Sequence, residues 1–115
     1  MPFINVIINK KLDENQKDSL QRAIAENITL IPTKLPEHTT VGIRDNCYNL
    51  YRNMEPVTAA FVDVRLFKAS PFEGKQAYAQ KLFEIFDSIA GIPKNMLQIN
   101  YVELQEWGSN GDLMR

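Results

Sequence analysis

The sequence predicts an α+β fold of two tandem β-α-β units related by pseudo-twofold symmetry, forming a four-stranded mixed sheet with two helices on one face. Two observations predict it. A shift of 58 residues lays the chain on itself without a gap, with Phe3-Ile4-Asn5-Val6 over Phe61-Val62-Asp63-Val64, Lys10 over Lys68, Lys17 over Lys75, Ile31 over Ile89 and Val41 over Ile99. Within each half an apolar run gives way to helical periodicity and then to a β-branched stretch. A β-α-β crossover makes its two strands parallel and is right-handed in nearly all cases, which sets the helix on one sheet face.

The elements follow in order. Phe3 to Ile8 is a nearly continuous apolar run, the pattern of an interior strand covered on both faces. Asp13 with Gln16 forms a capping-box-like start, and Leu20, Ile24, Ile28 and Ile31 recur at helical spacing until Pro32 stops the helix. Thr39 to Arg44 reads as the second strand. In the second half, Ala59 to Phe67 is the apolar strand, and Ser70-Pro71-Phe72-Glu73 places an N-cap Ser before a Pro at the first helical position. Tyr78, Leu82, Phe86 and Ile89 carry the buried stripe, Gly91 suits the residue just past the helix, and Leu97 to Leu104 is the last strand.

At 115 residues the chain is one domain, 1–115, with pseudo-repeats 2–45 and 60–103 and a connector 46–59. Thirteen Lys and Arg against fourteen Asp and Glu leave no net field for nucleic acid or for an anionic membrane. No run approaches the roughly 18 apolar residues of a membrane span, and Met1-Pro2 leads straight into a strand, so a cytoplasmic location is expected. Cys47 is the sole cysteine, which excludes an internal disulfide and reads as a small packing residue. His38 has no second histidine or cysteine to complete a metal site and reads as a loop or strand-edge residue. No metal and no cofactor are expected.

With both helices on one face, the opposite face of the sheet is left uncovered, and apolar residues pointing that way must find another subunit or, as in a monomeric ferredoxin-like sandwich, remain wet. An obligate oligomer is expected. The duplication is also asymmetric at its first residue: Pro2 falls opposite Ala60, so once the initiator Met1 is removed only the first unit offers a free secondary amine. That amine is held rigid by its ring at the start of an apolar strand, where a cation is disfavoured, so burial pushes it towards a neutral base.

A duplicated β-α-β unit beginning Met-Pro resembles the tautomerase superfamily. Val41-Gly42-Ile43-Arg44, the strand Ala60 to Lys68 and the helix around Lys81 to Phe86 are similar to 5-carboxymethyl-2-hydroxymuconate isomerase. Met1-Pro2, Lys34 with Pro36, Ile99-Asn100-Tyr101 and Trp107-Gly108-Ser109-Asn110 are similar to macrophage migration inhibitory factor. The resemblance implies a homotrimer in which three four-stranded sheets enclose a channel, with a pocket around each amino-terminal proline.

It also implies site residues. Pro2 is the catalytic candidate. Lys34 matches a substrate-binding lysine of the inhibitory-factor branch and Arg44 an arginine of the muconate-isomerase branch. Either could bind a carboxylate and steady an enolate oxygen. Leu66 matches a position whose backbone amide reaches substrate, and Asn100 a pocket asparagine. Gln98 stands where that branch has a tyrosine, and an amide donates a hydrogen bond but cannot act as an acid. Arg65 and Lys68 should point to opposite sheet faces, Arg52 reads as a surface residue, and Trp107 as packing across a subunit boundary.

The function expected is a cofactor-independent keto-enol tautomerase or isomerase acting on a small 2-keto or unsaturated carboxylic acid, with Pro2 as general acid and base. The alternatives are a dehalogenase, hydratase or decarboxylase using the same pocket, with Glu103, Glu106 or Glu55 activating water, and a non-enzymatic cytokine-like binding protein.

Overall fold

The computed structural model, which describes residues 1–115, runs β1 (Phe3–Ile8), α1 (Glu14–Glu26), β2 (Thr40–Arg44), β3 (Leu50–Arg52), β4 (Glu55–Val57), β5 (Ala60–Phe67), α2 (Phe72–Ile85), β6 (Leu97–Leu104), β7 (Trp107–Ser109) and β8 (Asp112–Met114). The main sheet has the order β2-β1-β5-β6. β1 is parallel to β2 and β5 to β6, while the central β1 and β5 are antiparallel, so the sheet is mixed as predicted. Asn5 lies opposite Asp63 across that central pair, and these are the same position in the two units. The pseudo-twofold axis therefore passes between them.

The strands alternate, which the sequence reading did not anticipate. Ile4, Val6 and Ile8 on β1 and Val62, Val64 and Leu66 on β5 are essentially inaccessible beneath the helices. Their odd-numbered neighbours face the other way: Phe3 and Phe61 are 38% and 37% exposed, and Ile7 and Phe67 are half-buried. The unbroken apolar run thus serves one covered face and one open face. Each side chain fully withdrawn from water contributes about 1.5–3 kcal/mol of transfer free energy, so the helix-covered face dominates the stability of the isolated chain.

Asp13 opens α1 with a complete capping box, its carboxylate accepting from Gln16 N (2.8 Å) while Gln16 Oε1 accepts from Asp13 N (3.0 Å). α1 ends sooner than its apolar stripe suggests. Asn27 donates its side-chain amide to Ala23 O (2.8 Å), and the chain tightens into a 3-10 turn over Asn27–Leu30 that still buries Ile28. α2 differs at its start. Pro71, in an extended conformation, is the residue before the helix, and Ser70 gives its backbone N–H to Glu103 Oε2 (2.6 Å) on β6 instead of capping with its side chain. At its end α2 widens into a π turn, Phe86–Ala90, closed by Gly91 at φ 68°. Lys10 Nζ donates to Ala90 O (2.8 Å) there, as suits a cation at a helix C-terminus. Tyr78 OH donates to Ile24 O (2.6 Å) and joins the two helices.

The connector and the tail are both ordered as hairpins, β3 with β4 and β7 with β8. They lie within one residue of matching positions in the 58-residue register, so the repeated unit is β-α-β plus a hairpin. Short strands with few apolar residues and turn residues such as Asn53, Met54, Asn110 and Gly111 at positive φ explain why periodicity did not mark them. Cys47 is half-buried beside the first hairpin and donates its thiol to Arg44 O (3.3 Å).

Candidate functional site

Pro2 is buried, and its carbonyl accepts from Thr40 N (3.1 Å), which carries the β1–β2 pairing one residue beyond Phe3. Parallel pairing therefore brings the residues leading into β2 alongside the start of β1. A 3-10 turn over Pro36–His38 supplies them, pinned by His38 N to Leu35 O (3.1 Å) and Thr39 Oγ1 to Leu35 O (2.8 Å). On the other flank, the tail hairpin brings Trp107 against Phe67 with ring centroids 6.5 Å apart. Between these walls lies a cleft of about 430 Å³ lined by Met1, Pro2, Phe3, Glu37, His38, Thr39, Thr40, Trp107, Gly108 and Ser109.

Lys34 does not line this cleft but reaches the end of β5, whose Phe67 packs against Trp107 of the cleft wall. Thr33 at φ 70° turns the chain after Pro32, and Lys34 Nζ then reaches Phe67 O (3.0 Å) at the end of β5. Partial burial lowers the Lys34 pKa, and the carboxylate of Glu103 opposes that shift. The chain-terminal amine is likewise held below its ordinary value, first by burial and then by the charge of Lys34. The corner is built to disfavour an amine cation.

The other sequence-predicted residues are dispersed. β1 and β5 place Leu66 level with Pro2, one residue past the Phe3–Arg65 pair, but its side chain is fully buried beneath the helices, so only its backbone is available. Arg44 pairs with Ile7, five residues along β1 from Pro2, which is roughly 16 Å at the usual strand rise. It is exposed and makes no ion pair. Asn100 lies opposite Asp63, two strands across and three residues along from Pro2, roughly 14 Å away within the same chain. Gln98 pairs with Phe61, farther still along the sheet.

The remaining carboxylates also separate. Glu103 is committed to Ser70 N and to Lys75 Nζ (3.2 Å), and Glu55 lies on β4 in the connector hairpin. Arg65 is on the open face beside Asp63 (3.4 Å), whereas Lys68, at φ 68°, lies past the strand with its ammonium 5.2 Å from the Phe67 ring centre. Arg52 donates to Asn95 O (2.5 Å). Sequence reasoning missed Glu37, His38 and Thr40 as cleft residues. The signal was present, because a parallel β-α-β unit necessarily sets the residues preceding its second strand beside the beginning of its first.

No three or more His, Cys, Asp or Glu side chains gather where they could hold a metal ion. No helix is long and apolar enough to cross a membrane.

No protein-family model and no curated protein matches the chain. Solved structures do match. The fold, two β-α-β units with a four-stranded mixed sheet, is similar to that of solved macrophage migration inhibitory factors and of a 4-oxalocrotonate tautomerase. The chain superposes on MIF2 of Leishmania major with a TM-score of 0.88 at 18% identity, covering 99% of this chain and 97% of that one. For the inhibitory factor of Trichinella spiralis the values are 0.78 and 23%, covering 97% and 99%. A fused 4-oxalocrotonate tautomerase, described as an asymmetric trimer, matches with a TM-score of 0.83 at 13% identity, covering 96% of this chain and 94% of that one. At these identities the likeness is one of fold.

Proposed function

We propose that this protein is a cofactor-independent keto-enol tautomerase of small 2-keto or unsaturated carboxylic acids, with Pro2 as its general acid and base. The observation that carries the reading is the position of Pro2, buried at the wall of an open cleft in a corner where burial and Lys34 both lower the pKa of a terminal amine. While Met1 is attached, the Pro2 nitrogen is an amide and has no basicity. Removal of Met1 turns it into a secondary amine at the same corner, poised to take a proton from carbon and return it. Positioned proton transfer of this kind is worth roughly 10² to 10⁴ in rate.

Lys34 is near enough for its charge to lower the pKa of the terminal amine, so it is the cation assigned to the substrate carboxylate and the developing enolate oxygen. Arg44, at the far end of the strand, is not assigned to the same cleft of the same chain. The open sheet face, with Phe3 and Phe61 each more than one-third exposed, supports assembly into a homotrimer; the fused tautomerase of similar fold is named as an asymmetric trimer. In such an assembly Asn100 of the partner subunit is the candidate to reach a Pro2 cleft.

The test is ketonisation of phenylenolpyruvate and 2-hydroxymuconate by the protein beside its Pro2→Ala variant, with intact mass confirming loss of Met1 and sedimentation giving the oligomeric state. Activity in the mature trimer that collapses on substitution is expected. Full activity in a chain that retains a residue before Pro2 refutes the reading.

A further inference from the structure

The duplication built this corner twice, and only one copy kept its chemistry. At the opposite end of the central strands, the second unit forms a smaller pocket of about 130 Å³ lined by Ala59, Ala60, Phe61, Met96 and Gln98 together with the β3–β4 hairpin. Shifted by 58 residues, these five are Met1, Pro2, Phe3, His38 and Thr40 of the first cleft. The two 3-10 turns correspond as well, Pro36–His38 with Lys94–Met96. In the second copy the terminal proline has become an internal alanine, Lys34 has become the buried Ile92, and His38 has become Met96. The three substitutions remove an amine, an ammonium and an imidazole, and what remains is a mostly apolar lining with Gln98 and Arg52 as its polar members.

His38 therefore varies together with Pro2 and Lys34 between the two copies. It is also exposed at the cleft wall, free to exchange protons with solvent. Among the lining residues only the terminal amine, Glu37 and His38 carry ionisable groups, and of the two side chains the imidazole is the one that has both a donor and an acceptor nitrogen for general acid and base work. Tautomerisation moves two protons, one at carbon and one at oxygen, and Pro2 accounts for the first.

We propose that His38 is a catalytic residue of this cleft, exchanging the oxygen-bound proton of the substrate while Pro2 serves the carbon; this rests on the tautomerase reading above. In the ketonising direction the imidazole takes the enol O–H proton, that electron pair becomes the new C=O bond, and the C=C π pair takes a proton from the protonated Pro2 amine. The imidazolium then loses its proton to water and the amine regains one, so the cycle closes without any other reactant.

The experiment measures phenylenolpyruvate ketonisation by the mature protein and its His38→Ala, His38→Gln and Pro2→Ala variants, with and without added imidazole. The exposed position of His38 keeps the fold intact in all of its variants. Both His38 variants should lose about 10² in kcat with little change in KM, and imidazole should restore His38→Ala but not Pro2→Ala. A His38→Gln variant at the wild-type rate, or a His38→Ala loss that imidazole leaves unchanged, overturns the assignment while leaving the Pro2 reading intact. Retained activity in Pro2→Ala removes the tautomerase mechanism itself, and with it the role given to His38.

Discussion

Gly74, in the first turn of α2, sits where the helix meets the segment leading to Lys34, and its replacement by alanine joins packing to the site. A Cβ there would lie 2.7 Å from Pro32 Cδ, 3.0 Å from Leu30 O and 3.3 Å from Ile31 Cα. None of these is the free end of a flexible side chain. Alanine gains up to about 1 kcal/mol over glycine in a helix interior, whereas inserting a carbon into a filled space costs typically 1–3 kcal/mol. With contacts this short the steric term wins, and Gly74→Ala should destabilise by about 1–2 kcal/mol. For a domain of this size that is a fall in Tm of roughly 4–8 °C. The displaced segment continues through Thr33 into Lys34, so the 3.0 Å Nζ contact with Phe67 O should loosen and KM for a keto acid should rise while kcat changes less. Urea unfolding and steady-state kinetics measure both effects. A Gly74→Ala protein as stable as wild type or more so would show that the segment yields freely and that Gly74 is not holding it.

Glu103 should give stability a defined acid limb. Its carboxyl is held below the ordinary range first by the Ser70 N–H and then by Lys75, with burial opposing. A depressed folded-state pKa means that the contribution is complete above the unfolded value, roughly 4.3, and is lost as pH falls through the folded value. Glu103→Gln should therefore be less stable at neutral pH and show a flatter decline below about pH 5. Parallel urea midpoints against pH for the two proteins would contradict this. Tyr78→Phe removes the buried hydroxyl that bonds Ile24 O and should cost about 1–2 kcal/mol in equilibrium unfolding; no measurable cost would show that the α1 carbonyl is satisfied without it.

The elements of both units were legible because each carries a strong local signal. The Asp13–Gln16 box starts α1, Gly91 ends the second helical run, and the gapless 58-residue shift ties the halves together. What failed depended on partners distant in sequence. Ser70 could not be seen to give its N–H to Glu103, thirty-three residues away, until β6 was in place. Pro2 was singled out by the asymmetry of the duplication and lines the cleft, while Lys34 was singled out by likeness, and the roles of both are proposals. Arg44 and Asn100 were not separable from a single-chain site, because their distance from Pro2 is set by strand pairing that residue type does not encode. His38 carried no signal as a lone histidine. Its place beside Pro2 follows from parallel pairing of β1 with β2, and its counterpart in the second unit, Met96, lines the smaller pocket there.

The open sheet face connects assembly with chemistry. Asn5 and Asp63 straddle the pseudo-axis at its centre, with Asn100 next in the row on β6. Asp63 Oδ1 is shielded from solvent with no hydrogen-bond partner in the isolated chain, a state that costs free energy for a polar oxygen. Phe3 and Phe61 flank that row symmetrically and leave apolar surface wet. A surface that is apolar at two symmetric points and holds an unsatisfied acceptor at its centre is better covered than exposed. The proposed trimer covers it, and the same approach is what would carry Asn100 of the partner subunit towards a proline cleft it cannot reach within its own chain. On this account the second unit's pocket could lose its amine and its ammonium without loss to the protein, because that unit's sheet edge would serve the first unit's site on a neighbouring chain.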